Sequence, residues 1–270
     1  MIRRRLAALF PCVLLLFAAH GGAQSPEKSH ADIELIAEQS TAPPGQPLWV
    51  GLLFRLDEGW HIYWQNPGDS GQPPTVTWQL PAGFTAGAIR WPQPVRLVSG
   101  TVVDYGYEGQ TLLMVPIQAA APGHATLIPP VSADVKYIVC RDICIPGKAH
   151  LTLATSATGS WARWRALFDQ ARQQLPKPAP PGWKVSAESD RSQFVLTVRG
   201  AQQVHSATFF PLDAGQIDNA GRQNFVSSPT GFRLSMKKSD LLVQPVAKLR
   251  GLIVLGPGRA FEAEAPVISR

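Results

Sequence analysis

The amino-acid sequence predicts a mostly β chain of two sandwich domains joined by a short helix and a proline-rich linker. Three observations predict it. Proline (25) and glycine (23) are abundant in 270 residues, alongside the Val, Thr, Trp and Phe that suit pleated strands. In the first half, turn signals recur roughly every 8 to 15 residues. A single helical face, followed at once by Pro176-Lys177-Pro178-Ala179-Pro180-Pro181-Gly182, then divides the chain.

The chain opens with Arg3-Arg4-Arg5, an apolar run from Leu6 to Ala19 and the small residues Gly21-Gly22-Ala23. That order is expected of a secretory leader over residues 1–23. The run is about 14 residues, short of the roughly 20 that span a bilayer. Cys12 lies inside it and is expected to leave with the leader. No later segment has the apolar length to span a membrane, so no span is expected in the mature chain. Loss of the three arginines would take the formal charge from +6 to about +3. The remaining basic residues are scattered, only Lys237-Lys238 being adjacent, which argues against a nucleic-acid partner.

A first domain is expected over residues 30–156. Ile33 to Glu38, Leu48 to Leu56, Trp60 to Trp64, Thr75 to Leu80, Ala88 to Trp91, Leu112 to Gln118, Ala125 to Ile128, Val131 to Val139 and Ala149 to Ala154 read as strands between turns, a spacing that suggests an immunoglobulin-like sandwich. Residues 159–182 form the helix and linker: Trp161, Trp164, Leu167, Phe168, Ala171 and Leu175 share a helical face, Ser160 is a candidate N-cap, and Pro176 ends the helix. Residues 183–270 read as a second β-rich domain, with strands at Lys184 to Ala187, Gln193 to Arg199, Ala207 to Pro211, Phe232 to Met236 and Leu249 to Leu255.

After leader removal two cysteines remain, Cys140 and Cys144, in Val139-Cys140-Arg141-Asp142-Ile143-Cys144-Ile145-Pro146-Gly147. Close spacing in an exported chain makes a disulfide the first expectation. Its Cα atoms must approach within about 4.4 to 6.8 Å, whereas four extended residues span about 13 Å. The chain must turn between them, and a three-residue hairpin loop Arg141-Asp142-Ile143 meets that need. Three readings stand on these residues: a redox pair, a structural staple, and a metal site shared with His61 or His150. Two thiolates with imidazole suit copper(I) or zinc, although no metal or other cofactor is the leading expectation. A staple closing about five residues would contribute only about 2 kcal/mol. Arg141 could favour a neighbouring thiolate and Asp142 would oppose it. Trp60, Tyr63, Trp64, Trp78 and Trp91 read first as core. No phosphate loop, nucleophile elbow or His-Glu-x-x-His motif is present, so nucleotide binding and hydrolysis lack support.

Three segments carry a resemblance. Gly59-Trp60-His61-Ile62-Tyr63-Trp64-Gln65-Asn66-Pro67-Gly68-Asp69-Ser70-Gly71, Asp104-Tyr105-Gly106-Tyr107-Glu108-Gly109 and the cysteine segment resemble, in family order, the periplasmic N-terminal domain of the DsbD family, especially its ScsB-like branch. The resemblance covers about Asp32 to Leu153; the second half matches more loosely the β-rich extension of ScsB-like members. It implies an immunoglobulin-like domain whose Cys140/Cys144 pair takes electrons from a membrane-embedded thiol reductase and hands them to periplasmic thioredoxin-like proteins. It further implies that Cys144 makes the mixed disulfide and that a cap loop, Asp104, Tyr105, Tyr107 and Glu108, shields the bridge, with Tyr107 the best match for the shielding ring and Tyr105 the alternative. Two departures stand out: the Cys-x3-Cys spacing is shorter than in the best-known members, and neither membrane nor thioredoxin domain follows in this sequence, so the reductase is expected to be a separate protein. Outside the resemblance, a non-catalytic binding or scaffold module with an inert disulfide is the leading alternative, and a copper-binding protein the next.

Overall fold

The computed structural model describes residues 29–120, 126–153 and 161–269, which form twenty strands and one helix. The leader reading of residues 1–23, Cys12 and the Ser160 cap lie outside the described residues. Among those described, no helix is long and apolar enough to cross a membrane.

The first domain is a sandwich of two antiparallel sheets. One has the order Ala31–Ala37, Leu48–Leu56, Gln110–Ala119, Phe84–Ala86. The other runs Cys144–Thr152, Ser132–Cys140, His61–Gly68, Val102–Glu108, Val95–Ser99, with Thr75–Gln79 paired to the far end of Ser132–Cys140. Period-two alternation assigns the facing side chains: Leu52, Phe54, Leu113 and Val115 meet Ile62, Trp64, Tyr105, Tyr107, Val135, Tyr137 and Val139 in one core.

The strand Leu48–Leu56 is buried almost throughout rather than alternately, because its outer face is also covered. There Ile36, Leu53, Leu112 and Met114 pack against Phe168 and Ala171 of the helix Trp161–Gln174. Arg172 completes the dock with a two-pronged pair to Glu38, Nη1 to Oε1 at 2.7 Å and Nη2 to Oε2 at 2.5 Å. The helix expected as a connector is thus a third layer of the first domain.

Beyond it, Lys177–Pro178 pairs in parallel with Phe261 and Glu262, so part of the proline-rich stretch is built into the second domain's sheet. That sheet has the order Thr208–Pro211, Lys248–Val254, Ala260–Ser269, Lys184–Ser189, Gln193–Arg199, Gly231–Lys237, Asn224–Ser228. The long strand Ala260–Ser269 pairs with Lys248–Val254 through Pro266 and with Lys184–Ser189 from Val267 onward. It thereby joins two halves that close over Phe194, Leu196, Phe209, Phe232, Leu234, Met236 and Ile253.

The two cores meet along one strand pair, through its alternation. In the paired strands Thr208–Pro211 and Lys248–Val254, Phe209 and Ile253 point into the second core, while Phe210, Leu252 and Val254 join the first. Phe210 sits edge-on to Tyr105 and Trp64, with centroids 5.1 and 6.4 Å away.

Candidate redox site

The hairpin places the two cysteines in register, Cys140 opposite Cys144, with Cα atoms 4.2 Å apart and the sulfurs bonded. Arg141–Ile143 is the three-residue loop that the spacing required, closed by the Arg141 N–H donating to Ile143 O at 3.1 Å. The two sulfurs have unequal surroundings. Cys140 is 2 % exposed, enclosed by the central strand His61–Gly68. Cys144 is exposed on the outer strand of the hairpin, beside Ile143, which is 61 % exposed.

Register decides which aromatic ring reaches the disulfide. Cys140 pairs with His61, and His61, Ile62 and Tyr63 pair with Glu108, Tyr107 and Gly106. Directly opposed residues share a face, so Tyr63 lies on the Cys140 side, and Ile62 and Tyr107 lie on the core side. Tyr63 donates its hydroxyl to Cys140 Sγ at 2.9 Å and stands 3.6 Å from Cys144 Sγ.

Behind the ring the segment Asn66–Gly71, where the strand ends and bends, forms a seat. Tyr63 Oη lies 3.4 Å from Ser70 Oγ, and Ser70 gives both its N–H and its hydroxyl to the buried carboxylate of Asp104, each at 2.8 Å. Gly71, at φ +69°, leaves the space the ring fills: a Cβ there would stand 2.0 Å from Tyr63 Cζ. Burial raises the Tyr63 pKa, partly offset by the Ser70 hydrogen bond, so the phenol keeps its proton as donor. His61 stands edge-on to Tyr63 at 5.2 Å, its Nε2 buried without a partner. Burial lowers its pKa against the opposing pull of Asp104 and Glu108, which favours neutral imidazole.

The cap expectations resolve differently from residue to residue. Tyr107, expected over the disulfide, is on the opposite face of the sheet, buried, with its hydroxyl donating to Pro92 O at 2.8 Å. Tyr105 faces the same core and donates to Asn219 Oδ1 at 2.9 Å. Tyr63, which the sequence grouped with the core aromatics, is the ring on the sulfurs. Asp104 holds Ser70, and exposed Glu108 stands opposite His61. Arg141 is committed to Asp142, Nε to Oδ2 at 2.9 Å, and lies 5.4 Å above the Trp60 ring, so the two loop charges largely cancel at the sulfurs. His150 bonds Asp134 at 2.7 Å, and no group of three metal-ligating side chains occurs among the described residues.

Residues 33–156 match the family model described as thiol:disulfide interchange protein DsbD, N-terminal. No curated protein matches the chain. Among solved structures, the N-terminal periplasmic domain of ScsB from Proteus mirabilis superposes with a TM-score of 0.68 at 16% identity, covering 90% of this chain and 95% of that one, a likeness in fold that spans both domains. The periplasmic chaperone SfaE, at 11% identity and covering 89% of this chain and 100% of that one, reaches a TM-score of only 0.19. Residues 33–156 therefore form a DsbD N-terminal-like domain, with Cys140–Cys144 as the disulfide of a thiol–disulfide exchange domain.

Proposed function

We propose that the chain is an exported exchange protein passing electrons through Cys140 and Cys144, from a membrane-embedded reductase to periplasmic thioredoxin-like partners. The observation that carries this reading is the unequal setting of the two sulfurs: Cys144 is open to attack, and Cys140 is buried under a donated O–H. The match of residues 33–156 to the DsbD N-terminal model supports the partner class, and the leader-like residues 1–23 support export.

In the loading step a donor thiolate attacks Cys144 Sγ. The Cys140–Cys144 bond breaks and Cys140 Sγ leaves with the electron pair, taking up a proton. The donor's second thiolate then attacks its own sulfur in the mixed disulfide and frees Cys144. Unloading is the reverse: Cys144 attacks the acceptor's disulfide, then Cys140 attacks Cys144 Sγ and re-forms the bridge. Two electrons and two protons have passed on. A hydrogen bond to the leaving sulfur lowers the barrier to its departure, because exchange is faster when the leaving thiol is more acidic.

The test mixes single mutants with exported thioredoxin-like proteins on non-reducing gels. Cys140→Ser leaves Cys144 without its resolving partner and should trap a mixed disulfide; Cys144→Ser should trap far less. Absence of any adduct, with a large stability loss in the double Cys→Ser protein, would instead identify a stapled binding module.

A further inference from the structure

The network behind Tyr63 does not end in the first domain. The segment Asn66–Gly71, the end of one strand and the bend after it, is held from the second at Asn66 and Asp69. Asn66, 2 % exposed, donates Nδ2 to Pro211 O at 2.7 Å and accepts from Gly68 N at 3.1 Å. Asp69 accepts from Asn219 Nδ2 at 2.8 Å through one carboxylate oxygen and from Val103 N at 2.8 Å through the other. Ser70, the next residue, is the one that touches Tyr63.

We propose that the second domain is a positioning element of the redox site, acting through Asn219 and Pro211 on the turn that seats Tyr63 against Cys140. The proposal rests on the exchange reading above.

Asn219 is 8 % exposed and every polar group of its side chain is used. Nδ2 holds Asp69, Oδ1 accepts from Tyr105, and its backbone carbonyl accepts from Arg96 Nη2 at 2.5 Å. Tyr105 and Asp104 are neighbours on one strand and point to opposite faces. Asn219 therefore grips that strand from the core side while Asp104 holds Ser70 on the sulfur side. One buried amide thus ties the second domain to both the segment and the strand, through Asp69 and Tyr105.

Within the first domain the segment is tied to one strand alone, by Asp69 to Val103 and by Ser70 to Asp104, and its backbone is built around two glycines. Gly68 and Gly71 both have positive φ, +94° and +69°, a conformation that costs glycine nothing and gives it no packing side chain. Gly68 also approaches the neighbouring strand so closely that a Cβ would stand 2.5 Å from Val103 O. The Tyr63 ring fills the space beside Gly71, so a small displacement of the turn moves the ring and lengthens its hydrogen bond to Cys140. A domain that only covered apolar surface would need Phe210, Leu252 and Val254. It would not need a two-sided amide aimed at Asp69.

The experiment uses the full-length chain. In Asn219→Ala the turn loses its anchor, and the disulfide should be reduced by dithiothreitol about fivefold more slowly, the size expected for loss of one net hydrogen bond. Thiolate absorbance, read in a Cys144→Ser background, should show the Cys140 thiol less acidic. The ionisable groups around Cys140 (Tyr63, His61, Asp104 and Glu108 on the sheet, Arg141 and Asp142 in the loop) are untouched by the substitution. Should Asn219→Ala fold poorly, the isosteric Asn219→Asp carries the test, because it sets a carboxylate against Asp69 and keeps the acceptor for Tyr105. Adding Asp69→Asn re-forms the pair with its polarity reversed and should restore both readings to within about twofold. An unchanged or faster reduction in the single variants, or no recovery in the double, overturns the positioning role. A wild-type disulfide that resists every dithiol overturns the exchange reading itself, a result distinct from the first.

Discussion

The hydroxyl of Tyr63 lies 2.9 Å from Cys140 Sγ and 3.6 Å from Cys144 Sγ, so a single donor distinguishes the two sulfurs. The nearer sulfur is the buried one. Removing the donor should therefore alter chemistry at Cys140 more than at Cys144.

Tyr63→Phe keeps the ring that fills the space beside Gly71 and deletes only the O–H. Hydrogen bonds to charged groups are worth about 1.5–3 kcal/mol, equivalent to about one to two pKa units. Reduction by dithiothreitol should slow by about tenfold and the Cys140 thiol should become less acidic, with thermal stability nearly unchanged. Stopped-flow reduction and thiolate absorbance check this; an unchanged rate would remove the hydroxyl from the mechanism.

A pair of glycines separates backbone strain from crowding. Gly45 and Gly71 have similar φ, +74° and +69°, but a Cβ on Gly45 meets nothing within 4 Å, whereas on Gly71 it would stand 2.0 Å from Tyr63. Gly45→Ala should cost about 1–2 kcal/mol from φ alone. Gly71→Ala should cost at least about 1 kcal/mol more from overpacking and should also change the reduction rate, because the ring must move. Urea unfolding and the dithiothreitol assay on both variants test the contrast.

His61 gives the oxidised protein an acid-sensitive component. Burial sets its folded pKa below the ordinary 6.5, so the unfolded chain binds the proton more readily. The stability this represents is present above about pH 6.5 and is lost as pH falls from there through the folded value. From about pH 7.5 to about pH 5 the wild type should lose more stability than His61→Gln, which cannot charge. Equal losses in chemical denaturation would show that His61 does not report on folding.

Local pattern made the strands, the hairpin loop and the cysteine pair legible in the sequence: turn residues and alternation set the first, and chain length between Cys140 and Cys144 required the second. The Tyr63 contact was not legible, because it depends on Cys140 standing opposite His61, a register between strands about 80 residues apart. Without that register, Tyr63 in Trp60-His61-Ile62-Tyr63-Trp64 is one aromatic among several, and Tyr107 takes the cap role by resemblance. The docked helix was legible only in part. Its apolar face was visible, but the face that receives it was signalled only by the lack of alternation in Leu48–Leu56. The alternation of Phe209 and Phe210 between two cores required knowing that a second domain stands on the first.

That alternation leads to a prediction about the linker. Proline-rich connectors invite cleavage, and a protease site inserted between Pro181 and Gly182, both exposed, should be cut readily. The pieces should nevertheless stay together. Phe210, Leu252 and Val254 remain packed in the first domain's core, Asn66 and Asp69 keep their partners, and Lys177–Pro178 on the first piece is paired with Phe261 and Glu262 on the second. Gel filtration of the cut protein should show one species of unchanged size. Phe210→Ala removes the ring between Trp64 and Tyr105, a change that in a packed core costs about 3–5 kcal/mol, and here much of that cost falls on the contact between the pieces. The cut variant should therefore separate, or dissociate at lower denaturant, while the uncut variant stays folded because the linker holds the domains at high effective concentration. Spontaneous separation of the wild-type pieces would mean that the linker, and not the shared core, keeps the second domain on the first.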